Sequence, residues 1–442
     1  MMTARVDFRV TPGGSLQGKL RVPGDKSISH RALMLGAIAE GDTEIEGFLT
    51  GADCLATLAA VRAMGIAVEE RSPSHLIVHG RGLYGLKRPA GPLDLGNSGT
   101  GMRLFMGLLA GQGFETTLMG DESLSKRPMK RVIHPLMAMG ASIESRNGYA
   151  PITLHPIKPL EPARHVLQVA SAQVKSALLL AGLYAGGYTW LKEAGPSRDH
   201  TERMLHSFGV HLLRESGWLG IHGGESLSGT RVEVPADLSS AAFFLAGAAM
   251  TPGSDLTLEG VGVNPSRDGV IRILRLMGAR IEIRHSHLGG GEPAADIHVQ
   301  GGRLRGIDVT PELVALAIDD IPAVLIAAAC AEGTTRVHGA AELRVKESDR
   351  LQAMQAGLEA LGVTVAAGPD SINVTGAGHL RGGEVDSFGD HRIAMAFAMA
   401  GLRTESPMLI RDCANVDTSF PGFVPLARGA GLQVSLDGQR AA

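Results

Sequence analysis

A chain of 442 residues has room for two or three domains, and 44% hydrophobic residues with only 4% aromatics call for cores of Leu, Ile, Val, Ala and Met. A net charge of −3 excludes a global field that would recruit nucleic acid or an anionic membrane, so any anion site must be local. The three cysteines, Cys54, Cys330 and Cys413, are scattered, which excludes a disulfide framework and fits a reducing compartment.

The N-terminal segment M-M-T-A-R-V-D-F-R-V has no apolar stretch of a signal peptide, and residues 6–10 read as a strand. Apolar runs such as residues 323–331 fall short of the ~18 residues that cross a membrane, so a soluble cytoplasmic protein is expected. From there the chain repeats itself six times. An amphipathic run ends in Gly, a small or apolar residue follows, and then an alternating strand. The glycines are Gly65, Gly140, Gly209, Gly278, Gly362 and Gly429, at spacings of 75, 69, 69, 84 and 67 residues. A period near seventy that fills the chain fixes an architecture of repeated supersecondary units. The 59 glycines, well above the usual share of about 7%, are spread along the sequence and punctuate tight turns.

Upstream of each repeat Gly, a helix is expected to open on a capping residue: Asp53, Ser197, Ser266, Ser348, and Thr418 or Ser419. The Gly would then end the helix in the left-handed region. A second helix per repeat, rich in Ala and Leu, is expected at residues 101–110, 173–185, 239–250 and 321–331. Helices apolar all round should be buried, with sheets packed outside them. Each unit reads as β-α-β-α-β-β, and six units sharing cores three at a time give an α/β protein of two similar domains. The hinge is expected near Asp237. The first strand should complete the sixth repeat, so the domains are 21–236 and 1–20 plus 237–442, with the active site in the cleft between them.

Charged residues gather at the helix starts. P-G-D-K-S-I-S-H-R (residues 23–31) sets Lys26, Ser27 and Arg31 within two turns at a strand-to-helix junction, either an anion site or a capped helix with solvated cations. It is not a P-loop. L-G-N-S-G-T-G-M-R (95–103) lets a ligand approach backbone N–H groups and puts Arg103 one turn into a helix. Arg127 precedes a Pro and is held extended. Ser171 and Gln173 open a buried helix as caps or as ligand contacts. Asp319 and Asp320, and Glu347 beside Lys346 and Arg350, are carboxylates suited to proton transfer if cations pair with them. Arg392 precedes another apolar helix. His285 and His287 form an H-x-H with no third ligand at sensible spacing, so no metal site is expected.

In register along nearly the whole chain, D-K-S-I-S-H-R, G-N-S-G-T-G-M-R, K-R-P-M, S-A-Q-V-K-S-A, S-R-D-H-T-E, I-D-D-I-P, L-R-V-K-E-S-D-R and D-H-R-I-A-M resemble the 3-phosphoshikimate 1-carboxyvinyltransferases, also called 5-enolpyruvylshikimate-3-phosphate synthases. The resemblance implies two domains of three β-α-β-α-β-β units each, an inside-out α/β barrel with buried helices. It implies transfer of the enolpyruvyl group of phosphoenolpyruvate to the 5-hydroxyl of shikimate 3-phosphate by addition and elimination, in the shikimate pathway and with no metal or organic cofactor. Position by position, it gives shikimate 3-phosphate to Lys26, Ser27, Arg31, Ser171, Ala172, Gln173, Arg198, Asp319 and Lys346. Phosphoenolpyruvate falls to Lys26, Gly99, Arg127, Gln173, Arg350 and Arg392. Asp319 takes the hydroxyl proton, and Lys26 and Glu347 are the acids. A cytoplasmic monomer with small-molecule partners alone is expected.

Two departures stand out. Ser171-Ala172 replaces a serine pair, and Thr418 replaces a phosphoenolpyruvate-binding Lys; both point to the Ser-Ala-Gln subclass. Gly99 keeps the small residue associated with room for the inhibitor glyphosate. The sister enzyme acting on UDP-N-acetylglucosamine resembles D-K-N where Lys26-Ser27 stand here, and carries a loop Cys that residues 120–128 lack. A noncatalytic phosphometabolite sensor could do without Asp319 and Glu347, and an RNA-end-processing enzyme would call for a basic surface.

Overall fold

The computed structural model describes residues 6–156 and 160–437. The chain forms two compact α/β units. One, here the N-terminal unit, comprises Gly24–Pro235 and Leu288–Glu292; the other, the C-terminal unit, comprises the chain up to Pro23, Ala236–His287 and Pro293 onward. The crossings fall three residues later and one residue earlier than the sequence reading puts them. The excursion Leu288–Glu292, the tip of a β-hairpin, has no signal in the sequence.

Each unit holds three separate sheets, all built to one plan. In the second repeat, Leu93–Asp94 lies parallel to Thr116–Met119, which pairs antiparallel with Tyr149–His155, which pairs in turn with Ser142–Arg146. Three repeats take their parallel or central strand from elsewhere in the chain; in the fourth, Asp255–Gly262 pairs in parallel with Gln17–Leu20. In the first, Ala39–Glu46 pairs with Leu227–Ser228 and Arg231–Glu233 from the end of the third. In the sixth, Asp7–Val10 lies between Met408–Arg411 and Val434–Asp437, with Phe8 opposite both Ile410 and Leu436. The described sheets are discrete, three per unit, around buried helices, as the resemblance implies.

Those helices are Lys26–Ile38, Gly99–Leu109 and Ala172–Gly182 in the N-terminal unit, and Leu238–Met250, Ile321–Ala329 and His391–Ala400 in the other. Every residue of Leu238–Met250 and Ile321–Ala329 is buried, as all-round apolarity requires. Small residues let such helices touch: a Cβ on Gly107 would lie 2.0 Å from the carbonyl oxygen of Ala177 on the facing helix. Each unit thereby has its own apolar core.

Four outer helices begin a little later than expected, and the first begins two residues earlier. Asp199, Asp268 and Asp349 are the N-caps where Ser197, Ser266 and Ser348 were read, Gly422 replaces Thr418 or Ser419, and Asp53 lies inside its helix after Gly51. Where Ser and Asp stand one or two residues apart, both are good caps and local sequence does not choose between them. Five repeat glycines take the expected positive φ. In the sixth repeat, however, Gly429 is the last residue of the helix Phe423–Gly429, and Gly431, with φ 114°, makes the turn. Among the described residues no helix is long and apolar enough to cross a membrane.

Candidate active site

In the N-terminal unit Lys26, Ser27, Gly99, Ser171, Ala172 and Gln173 sit at the starts of the three buried helices, where unpaired N–H groups and the positive end of the helix dipole favour anions. Asp25, Ser98 and Ser171 cap them, each accepting from a backbone N–H of the first turn. Lys26 holds its ammonium 3.0 Å from Asp53, which explains why Asp53 is not a cap. Arg31 is 4% exposed and held by three hydrogen bonds: Nε donates to Thr201 Oγ1 at 2.7 Å, and its two terminal nitrogens donate to the Ser27 carbonyl and Ser176 Oγ, both at 2.8 Å. Burial works against its charge, Asp25, Glu202 and Glu292 support it, and nearby Arg198 opposes it, for a net fall to about 10. Arg198 is thus near enough for the two positive charges to repel one another.

Gln173 joins the second and third helices, accepting from Arg103 at 2.9 Å and donating to Thr100 at 2.9 Å. Arg127 is 8% exposed and donates to the side chain of Asn97 at 2.6 Å and to Ser123 at 3.2 Å. Gly99 lies against these cations: a Cβ there would be 2.8 Å from a terminal nitrogen of Arg103 and 3.3 Å from one of Arg127. Ala172, the first residue of its helix, brings no side-chain donor. His30 is buried between Thr57 and Ser98, and burial with Lys26 and Arg31 nearby pushes its imidazole down to about 3, so it stays neutral.

In the C-terminal unit one buried cation organises the rest. Arg350, 1% exposed, reaches Glu347 at 2.5 Å, Asp390 at 2.8 Å and Asp319 at 3.4 Å. Burial opposes its charge, but Asp390, Glu347 and Asp319 outweigh that and hold it well above the usual range. Burial alone would raise Asp390; the Arg350 charge and hydrogen bond bring its carboxyl below the usual range. Lys346 lies 3.3 Å from the same Asp319 oxygen, and Arg392 donates to the Asp319 carbonyl at 3.0 Å. Asp319, Lys346, Glu347, Arg350 and Arg392 thus form one cluster. Asp320, fully buried, faces Arg392 at 3.5 Å. Thr418 donates to the Asn415 carbonyl at 2.7 Å.

Sequence reasoning did not find Asp53, Asp390 or the pair Asp237–Arg267. The last had a signal. P-S-R-D occurs at 196–199 and again at 265–268, 69 residues on, in the phase of the repeat. Arg267, in the place of Arg198, donates to Asp237 Oδ1 at 2.9 Å and Ser239 Oγ at 2.8 Å. Asp237 caps its helix as Ser171 caps the third repeat's. The fourth repeat thus has a carboxylate at the cap position that Ser171 fills in the third. His285 and His287 are exposed on a hairpin strand. Among the described residues, Glu44, Glu46 and His75 have ligand atoms within 4.8 Å of one another, with Arg231 2.8 Å from Glu46 and Arg71 3.9 Å from Glu44.

The whole sequence carries the same message. It matches the family EPSP synthase (3-phosphoshikimate 1-carboxyvinyltransferase) over residues 10–426. The chain belongs to the EPSP synthase family. A curated 3-phosphoshikimate 1-carboxyvinyltransferase from Alkalilimnicola ehrlichii is 58% identical over 431 residues, 97% of each chain. One from Legionella pneumophila is 50% identical over 429 residues, covering 97% of this chain and 99% of its own. The structure of EPSP synthase from Acinetobacter baumannii superposes with a TM-score of 0.89 at 49% identity, over 98% of this chain and all of that one. The enolpyruvyl transferase NikO from Streptomyces tendae reaches a TM-score of 0.80 over 99% of this chain at 18% identity, a likeness of fold alone.

Proposed function

We propose that this EPSP synthase family member transfers the enolpyruvyl group of phosphoenolpyruvate to the 5-hydroxyl of shikimate 3-phosphate, releasing phosphate. The observation that carries the reading is the Arg350 cluster: two carboxylates, Asp319 and Glu347, share one buried guanidinium beside Lys346 and Arg392. Cations that bind carboxylate and phosphate are thereby set among groups that can move protons.

In this reading Arg31, Arg198, Ser27, Ser171, Ala172 and Gln173 hold shikimate 3-phosphate, with Lys346 and Asp319 on its ring hydroxyls. Ala172 contributes backbone only. Lys26, Gly99, Arg127, Gln173, Arg350 and Arg392 hold phosphoenolpyruvate. Asp319 accepts the 5-hydroxyl proton as the oxygen bonds to C2, while Lys26 or Glu347 protonates the methylene carbon. The resulting ketal then loses phosphate and a methyl proton. We place the chain in the Ser-Ala-Gln subclass on Ser171-Ala172-Gln173 and Thr418.

Asp319→Ala should abolish turnover while leaving substrate affinity within about threefold, since only a group acting in the transition state separates the two; binding titration beside a rate assay checks this, and surviving turnover moves the base elsewhere. The reading extends to a cytoplasmic monomer, for which sedimentation at 46.2 kDa is the expected result and twice that mass the contrary one.

A further inference from the structure

Behind the residues assigned to the substrate phosphate lies a buried charge cluster with no part in the proton transfers. Lys175, 1% exposed on the helix Ala172–Gly182, holds its ammonium 2.8 Å from Glu202 and 3.1 Å from Glu193. The other oxygen of Glu193 accepts a hydrogen bond from Ser197 Oγ. The Lys175 ammonium and the Glu202 carboxylate are costly to bury, with Glu193 half-buried at their edge, and an apolar cluster of the same volume would stabilise the fold at least as well. Stability alone therefore does not account for it.

Its neighbours give it a purpose. Ser176 and Thr201, the next residue after Lys175 and the one before Glu202, are the hydroxyls that hold Arg31. Arg198 follows Ser197 directly. Residues 193–199 have no regular secondary structure, and a cavity of about 360 Å³ lined by Glu193, Gly195, Pro196, Arg214 and Trp218 lies against them. Packing is thus thin on that side, while Arg31 and Arg198 repel one another. Something polar must hold the segment in place until a phosphate arrives.

We infer that Glu193, anchored by Lys175, is a positioning residue: through Ser197 it sets Arg198 opposite Arg31 for the phosphate of shikimate 3-phosphate. The inference rests on the function proposed above. It makes the site preorganised, so the cost of bringing two like charges together is met in folding and not in binding.

The test is steady-state kinetics on the full chain with both substrates. Glu193→Ala should raise KM for shikimate 3-phosphate about tenfold or more while KM for phosphoenolpyruvate and kcat stay within about twofold. Ser197→Ala leaves the Lys175–Glu193 pair intact and should act in the same direction; it carries the test alone if Glu193→Ala fails to fold. The double variant should be no worse than Glu193→Ala, because the two act through one link. An unchanged KM for shikimate 3-phosphate in a folded variant, or losses that multiply in the double variant, overturns the inference while wild-type turnover upholds the proposed function. A wild-type protein inactive with this substrate pair overturns both.

Discussion

Arg350 is a buried guanidinium whose three carboxylate partners come from three separate stretches of chain, at Asp319, Glu347 and Asp390. The motifs made its charge visible but not its burial, because the partners lie up to 40 residues away. The same holds for Lys26 with Asp53 and for Arg31 with Thr201. Cations at helix starts were legible, and the groups that fix them were not. His30 adds a consequence for stability. Folded, its imidazole is held near 3, whereas unfolded it returns to 6.5, so below about pH 6.5 the unfolded chain binds the extra proton. Stability should therefore fall as pH drops from 6.5 toward 4.5, with a slope from this residue of at most about 1.4 kcal/mol per unit. His165, lowered by burial, acts in the same direction. Denaturant midpoints for the wild type and His30→Asn across that range should diverge, the variant losing less; parallel slopes would refute the account.

At the scale of elements, the buried helices were the most legible feature and their caps the least. Apolarity on every face of Leu238–Met250 leaves no alternative to burial, whereas P-S-R-D presents a Ser and an Asp to the same helix start. The sixth repeat shows the same limit. A-R-G-A-G-L holds two glycines, and the turn falls on the second. Gly429 is helical, and a Cβ there meets nothing within 4 Å, so Gly429→Ala should stabilise by about 0.5–1 kcal/mol. Gly431 has φ 114°, and a Cβ would lie 2.3 Å from the Ser15 carbonyl, so Gly431→Ala should destabilise by about 2 kcal/mol or more. Chemical denaturation of the two variants decides; the reverse order would return the turn to Gly429.

For the whole molecule, the six-fold period predicted two groups of three β-α-β-α-β-β units, and three sheets built to one plan are found in each unit. The loan of Asp7–Val10 to the last sheet was legible because the sixth repeat ends one strand short. The entry of Leu288–Glu292 into the N-terminal unit was not, since a hairpin tip gives no periodic signal. The repeats also differ in detail: the fourth pairs Arg267 with its capping Asp237, and the third has Ser171 as its cap. The measurement that bears most directly on the proposed function is phosphate release by the purified protein given phosphoenolpyruvate with either acceptor. Release is expected with shikimate 3-phosphate and with neither substrate alone; release with UDP-N-acetylglucosamine and none with shikimate 3-phosphate would contradict the account.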